Sequence, residues 1–162
     1  MALGKTHDLI NLVALPGFLY FLPKELYIPF GAGYMVGTFL LSPDVDLPNS
    51  KPTKRWSFLR CLWYPYQSLS QHRGISHIPV IGSLLRLLYL ISVVIFLYFF
   101  LLGVVSVLDK GLALALTNFN PFPYLNELFR SEKSMYFVLG ILCADVVHII
   151  LDGLSSVLKR LT

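Results

Sequence analysis

Residues 87–108 run for 22 positions without a charge. At about 1.5 Å per residue, a helix over that stretch is roughly 33 Å long, enough to cross a bilayer core of about 30 Å. A chain of 162 residues has too much surface for its volume to bury such a helix on every side. Composition extends the point to the whole chain. It is 56% hydrophobic and 14% charged, against roughly 45–50% apolar and about 25% charged in ordinary soluble domains. Disorder is excluded by the same balance. The expectation is a single all-α integral membrane domain over residues 1–162.

Four apolar segments predict a multi-pass protein: 9–23, 26–43, 79–108 and 134–158. The first two are shorter and are interrupted by Pro16 and Gly17, and by Gly31, Gly33 and Gly37. They read as spanning helices or as a hairpin entering one leaflet. The first carries no small-residue cleavage pattern, so it does not read as a removable signal. Cys61 and Cys143 form neither a metal knuckle nor a disulfide framework and read as small apolar fillers.

The connecting stretches differ in charge. Residues 47–78 carry Lys51, Lys54, Arg55, Arg60 and Arg73 with no Asp or Glu, whereas the charges of 109–133 sum to zero. Positive loops stay cytoplasmic. With four spans, the head, the 47–78 loop and the tail share the cytoplasmic side, and 109–133 is a non-cytoplasmic loop. Trp56, Trp63, Tyr64 and Tyr66 suit a membrane–water interface. The net charge of +4 therefore reads as membrane orientation, with lipid as partner, and not as nucleic-acid binding. Arg86, one turn inside the third segment, reads as a side chain that snorkels.

With so little charge, its placement carries information. All four histidines and five of the six aspartates fall in four short clusters: Thr6-His7-Asp8, Asp44-Val45-Asp46, His72-Arg73-Gly74-Ile75-Ser76-His77, and Asp145 to Asp152 through His148. The expected topology brings all four to the cytoplasmic face. Pro48 disfavours helix at Leu47. In extended backbone Asp44 and Asp46 would then point the same way. Asp145, His148 and Asp152 are spaced three and four apart and share one helix face. Gly74 allows a turn between His72 and His77, and Pro79 suits the first turn of the next helix.

Acids inside an apolar segment are costly, and their default reading is functional. The alternative is a polar patch that glues helices. Thr6 and Asp8 could simply cap the first helix. Together the clusters predict a metal site. Mixed imidazole and carboxylate donors suit zinc foremost, then manganese or iron, and carboxylates alone suit magnesium. More candidates than one ion takes imply either outer residues that orient the ligands or two ions, an arrangement suited to phosphoester hydrolysis. Arg73 could grip an anionic group, and a non-ligating Asp8 or Asp145 could serve as base.

At these residues the sequence resembles the membrane-bound metal-dependent hydrolases of bacteria, the LexA-regulated type. It is closer still to a small branch described as metal-binding proteins. The shared pattern is Thr6-His7, Pro43-Asp44-Val45-Asp46, His72-Arg73-Gly74-Ile75-Ser76-His77, and His148 to Asp152. The resemblance implies an all-helical fold, a hydrolase activity, and His7, Asp44, Asp46, His72, His77, His148 and Asp152 as metal-site residues. The leading expectation is a hydrolase of a phosphoester or lipid headgroup in the bacterial cytoplasmic membrane, with both termini cytoplasmic. The alternative is a non-catalytic metal-binding or metal-transport protein. Transport predicts acids along a path through the membrane, but residues 134–144 and the uncharged run of the third segment offer none.

Overall fold

The computed structural model describes residues 4–70, 77–120 and 122–161, with side chains at 6–70, 77–120 and 122–158. His72 and Arg73 lie outside the described residues. The described chain is all-helical, without strands: α1 (Gly4–Tyr20), α2 (Tyr27–Phe39), α3 (Lys51–Arg55), α4 (Tyr64–Leu69), α5 (Ile81–Leu108), α6 (Lys110–Asn118), α7 (Phe122–Arg130) and α8 (Glu132–Leu161). Short 3₁₀ turns occupy Lys24–Leu26, Pro43–Asp46 and Ser57–Trp63.

Two described helices, not the expected four, are long and apolar enough to cross a membrane: Ile81–Leu108 and Glu132–Leu158. Helix α1 has 17 residues and α2 has 13, giving lengths of about 26 and 20 Å against a bilayer core of about 30 Å. The chain turns at Lys24–Leu26 after α1 and at Pro43–Asp46 after α2, before either helix reaches that length.

The tightest packing is between α2 and α8, and glycine makes it possible. A Cβ built on Gly33 would sit 1.9 Å from the Phe137 carbonyl oxygen, and one on Gly140 2.3 Å from that of Phe30. Gly37 faces Ile141 and Ala144 at about 3 Å. Gly33-x-x-x-Gly37 thus lies against Gly140-x-x-x-Ala144, the small-residue spacing that lets apolar helices approach closely. Contacts advance along both helices in the same sense, so both run toward the residues beyond their contact, Asp44 and His148. Helix α1 covers the pair, with Phe18 against Phe30 and Tyr34. The Tyr34 hydroxyl donates to Asn11 Oδ1 at 3.1 Å.

Within the basic stretch, residues 51–69 form α3, a 3₁₀ turn and α4. This segment closes the C-terminal end of α2, whose last carbonyls have no partner within the helix. Trp56 Nε1 donates to the Leu40 carbonyl at 3.0 Å and Arg55 donates to that of Phe39 at 3.2 Å. Trp63 is fully buried among Trp56, Tyr66 and Tyr89. Beyond α5, helices α6 and α7 occupy Lys110–Asn118 and Phe122–Arg130. Helix α6 folds back on α5, where Tyr98 donates to the Leu116 carbonyl.

Candidate metal centre

The site forms where the close α2–α8 crossing delivers Asp44 beside His148. Just past α2 the chain makes the Pro43–Asp46 3₁₀ turn. A carbonyl of the turn is clamped from the basic stretch: Thr53 Oγ1 donates to that of Val45 at 3.2 Å and Gln67 Nε2 to the same carbonyl at 2.8 Å. Helix α8 contributes His148 and Asp152, one turn apart and therefore on one face. His77 precedes α5, and Val80 separates it from the helix with φ 69 and ψ −56. The Ile81 amide bonds the Pro79 carbonyl at 2.8 Å across it. This is a γ-turn of the strained hand, held by a β-branched residue. The expected helix start at Pro79 is therefore displaced to Ile81.

Asp44, His77, His148 and Asp152 each present one ligand-type atom, and these atoms all lie within 4.8 Å of one another. His148 Nε2 is 3.5 Å from Asp44 Oδ2 and 3.7 Å from Asp152 Oδ2. His77 Nε2 is 3.7 Å from Asp44 Oδ1 and 3.7 Å from Asp152 Oδ2. Four ligands about 2.0–2.1 Å from a tetrahedral ion would stand about 3.3 Å apart. The donor spacing is thus close to what an ion needs. His148 Nε2, buried, has no hydrogen-bond partner, as expected of a lone pair reserved for a cation.

The far sides of both imidazoles face polar side chains. Ser42 Oγ is 3.4 Å from His148 Nδ1, and Asp46 Oδ2 is 3.8 Å from His77 Nδ1. Outer groups of this kind fix ring orientation and tautomer at metal sites. Burial acts to raise the Asp44 pKa. The imidazoles of His148 and His77 outweigh it and hold the carboxyl well below the usual carboxylate range.

Asp44 and Asp46 do not point the same way. The turn is 3₁₀ and not extended, so Asp44 enters the centre while Asp46 stands behind His77. His7 is adjacent to the four but outside their convergence. Its ring stacks on His148 with centroids 4.4 Å apart, and its Nε2 is 3.5 Å from Asp152 Oδ1. Burial first, then the neighbouring His148, lower its pKa, so it is neutral at pH 7.

The two carboxylates expected to act as bases are turned elsewhere. Asp145 is buried and takes hydrogen bonds from Arg86 and Ser83 on α5. Asp8 pairs with Arg55 at 2.6 Å. Arg86 does not snorkel; at 1% exposure it is an interior partner of Asp145. Sequence reasoning also missed Ser42. The polar Ser42 just before Pro43 was the available signal.

The family described as uncharacterized metal-binding protein (DUF2227) matches residues 2–162. The chain belongs to this family. A protein of Aquifex aeolicus (strain VF5), itself described only as uncharacterized, is 51% identical over 138 residues, covering 85% of this chain and 97% of the relative. No solved structure matches. Metal binding is thus the family's description, and Asp44, His77, His148 and Asp152 are where this member's donor atoms meet.

Proposed function

We propose that this chain is a membrane-bound, metal-dependent hydrolase of phosphoesters, lipid headgroups among them, related to the LexA-regulated type. The observation that carries the reading is the convergence of two imidazoles and two carboxylates, with the outer imidazole nitrogens facing Ser42 and Asp46. Asp44, His77, His148 and Asp152 would hold the ion. The mixed imidazole and carboxylate donors favour zinc, with manganese, iron or magnesium as alternatives. A divalent ion there supplies Lewis acidity toward a phosphoryl oxygen and lowers the pKa of a water.

The remaining residues take roles from their surroundings. His7 is the neutral base candidate beside the centre, because its buried Nδ1 has no hydrogen-bond partner. This role replaces Asp8 and Asp145, whose carboxylates are held by arginines. Arg73 stays as the candidate grip on an anionic substrate. The basic stretch supports a cytoplasmic orientation of the site in a bacterial inner membrane.

Elemental analysis of detergent-purified protein, followed by turnover of phosphoesters and phospholipids, tests the reading. Wild type should hold metal and turn over at least one substrate. His148→Ala and Asp152→Ala should lose the metal. His7→Ala should keep it and lose turnover. A metal-free wild type under replete conditions overturns the proposal, and a metal-loaded protein inert toward every phosphoester reduces it to a metal binder.

A further inference from the structure

An open depression of about 240 Å³ adjoins the centre, lined by His77, Ile149, Asp152, Gly153 and Ser156. Two of its lining residues, His77 and Asp152, are also members of the donor cluster, so one end of the depression is the centre itself. The other walls come from successive turns of α8. Ile149, Gly153 and Val157 are spaced by four and stack along one stripe. A Cβ built on Gly153 meets nothing within 4 Å. This glycine is therefore not needed for helix packing, unlike Gly33 and Gly140. Without a side chain at Gly153, the α8 surface between Ile149 and Val157 is left open beside the centre. Ser156 donates its hydroxyl to the Asp152 carbonyl, which turns its polar atom to the backbone and leaves the wall largely apolar. Val157 is 56% exposed and continues the stripe away from the centre.

We propose that this groove binds a phosphate group carrying a slim apolar stem. The phosphate would sit at the ion-holding end and the stem would run over Gly153 along Ile149 and Val157. The inference rests on the metal-centre reading and adds a ligand class and a specificity-determining residue to it. Asp152 and Asp44 border the phosphate end, so an anion binds there only when a cation offsets their charge.

The test uses detergent-solubilised full chain loaded with cobalt(II), titrated with inorganic phosphate and, separately, with dodecyl phosphate while the visible absorption of the cobalt is followed. Wild type should bind dodecyl phosphate at least about tenfold more tightly than inorganic phosphate, the worth of about two buried methylene groups. Gly153→Phe should keep cobalt stoichiometry and inorganic phosphate affinity, and lose the preference for the alkyl phosphate. Gly153→Ala should give an intermediate loss, and serves should the larger side chain disturb folding. Equal binding of both phosphates by wild type means free phosphate is the ligand and overturns the groove. An alkyl preference unchanged in both variants also overturns it. Absence of bound cobalt in wild type overturns the metal centre, and the groove with it.

Discussion

Helices α5 and α8 are alike in length, both apolar enough to cross a membrane, and opposite in use. Helix α8 is held against α2 through Gly140 and Ala144, and its C-terminal half carries His148 and Asp152 into the centre. Helix α5 leaves the bundle after its first turns. Val94, Phe96, Phe99 and Phe100 are each more than 60% exposed. Only Gly82, Ser83 and Arg86 are buried on it. Hydropathy and length admit both as candidate spans. What separates them is the placement of small residues, which permit close approach, and of scarce polar groups, which need partners. One helix packs closely against a neighbour, and the other presents apolar side chains outward along most of its length.

The contrast breaks most visibly at glycine. Gly33→Leu or Gly140→Leu would drive a side chain into backbone atoms across the α2–α8 crossing. Expression in membranes and metal content should both collapse. Gly103→Leu on α5, where a Cβ meets nothing within 4 Å, should leave both unchanged. Parallel purification with elemental analysis decides the matter, and equal tolerance at both helices would remove the distinction.

The next effect is at the tie between the helices. Arg86→Met leaves the buried Asp145 carboxylate without its cation, a loss of roughly 3–5 kcal/mol where buried pairs are broken on one side. The double change Arg86→Met with Asp145→Leu should recover most of that loss. Thermal unfolding in detergent measures both. A single variant as stable as wild type would mean that the pair does not fasten α5 to α8.

A smaller effect is expected behind the ligands. Asp46→Asn should keep the fold and weaken metal affinity about 10–100-fold, the usual cost of losing an outer partner of a ligating imidazole. Competition with a chelator of known affinity measures it. An unchanged affinity would leave Asp46 as a turn residue only. Smallest is Arg55→Ala, which frees the partly exposed Asp8. Pairs of this kind are worth about 0–1 kcal/mol, so the melting temperature should move by a few degrees at most.

Much of the site could be read from the residues, because charge is rare enough here that each Asp and His stands out. The i, i+4 relation of His148 and Asp152 needed only helical periodicity. The pairing of Asp145 with Arg86 was not legible. It joins residues 59 positions apart, and an arginine one turn inside an apolar helix looks the same whether it reaches outward to headgroups or inward to an acid. The direction of Asp46 was hidden for another reason. Pro48 restricts Leu47, which is indeed extended, but it does not dictate the turn before it. That turn is 3₁₀, tied by tertiary hydrogen bonds from Thr53 and Gln67. The span count failed on length, since segments 9–23 and 26–43 are uncharged throughout but turn after about 20–26 Å of helix.

The donor residues come from three distant parts of the chain, and this sets an order of events in the cell. Asp44 leaves the ribosome 104 residues before His148, about 5–20 s earlier at ordinary synthesis rates of about 5–20 residues per second. During that interval the early carboxylates have no imidazole partners from α8. A tetradentate pocket exists only once α8 has slid in beside α2. Metal capture is then a late event that reports completed assembly, and a protein caught half-made would hold cations no better than a loose pair of acids.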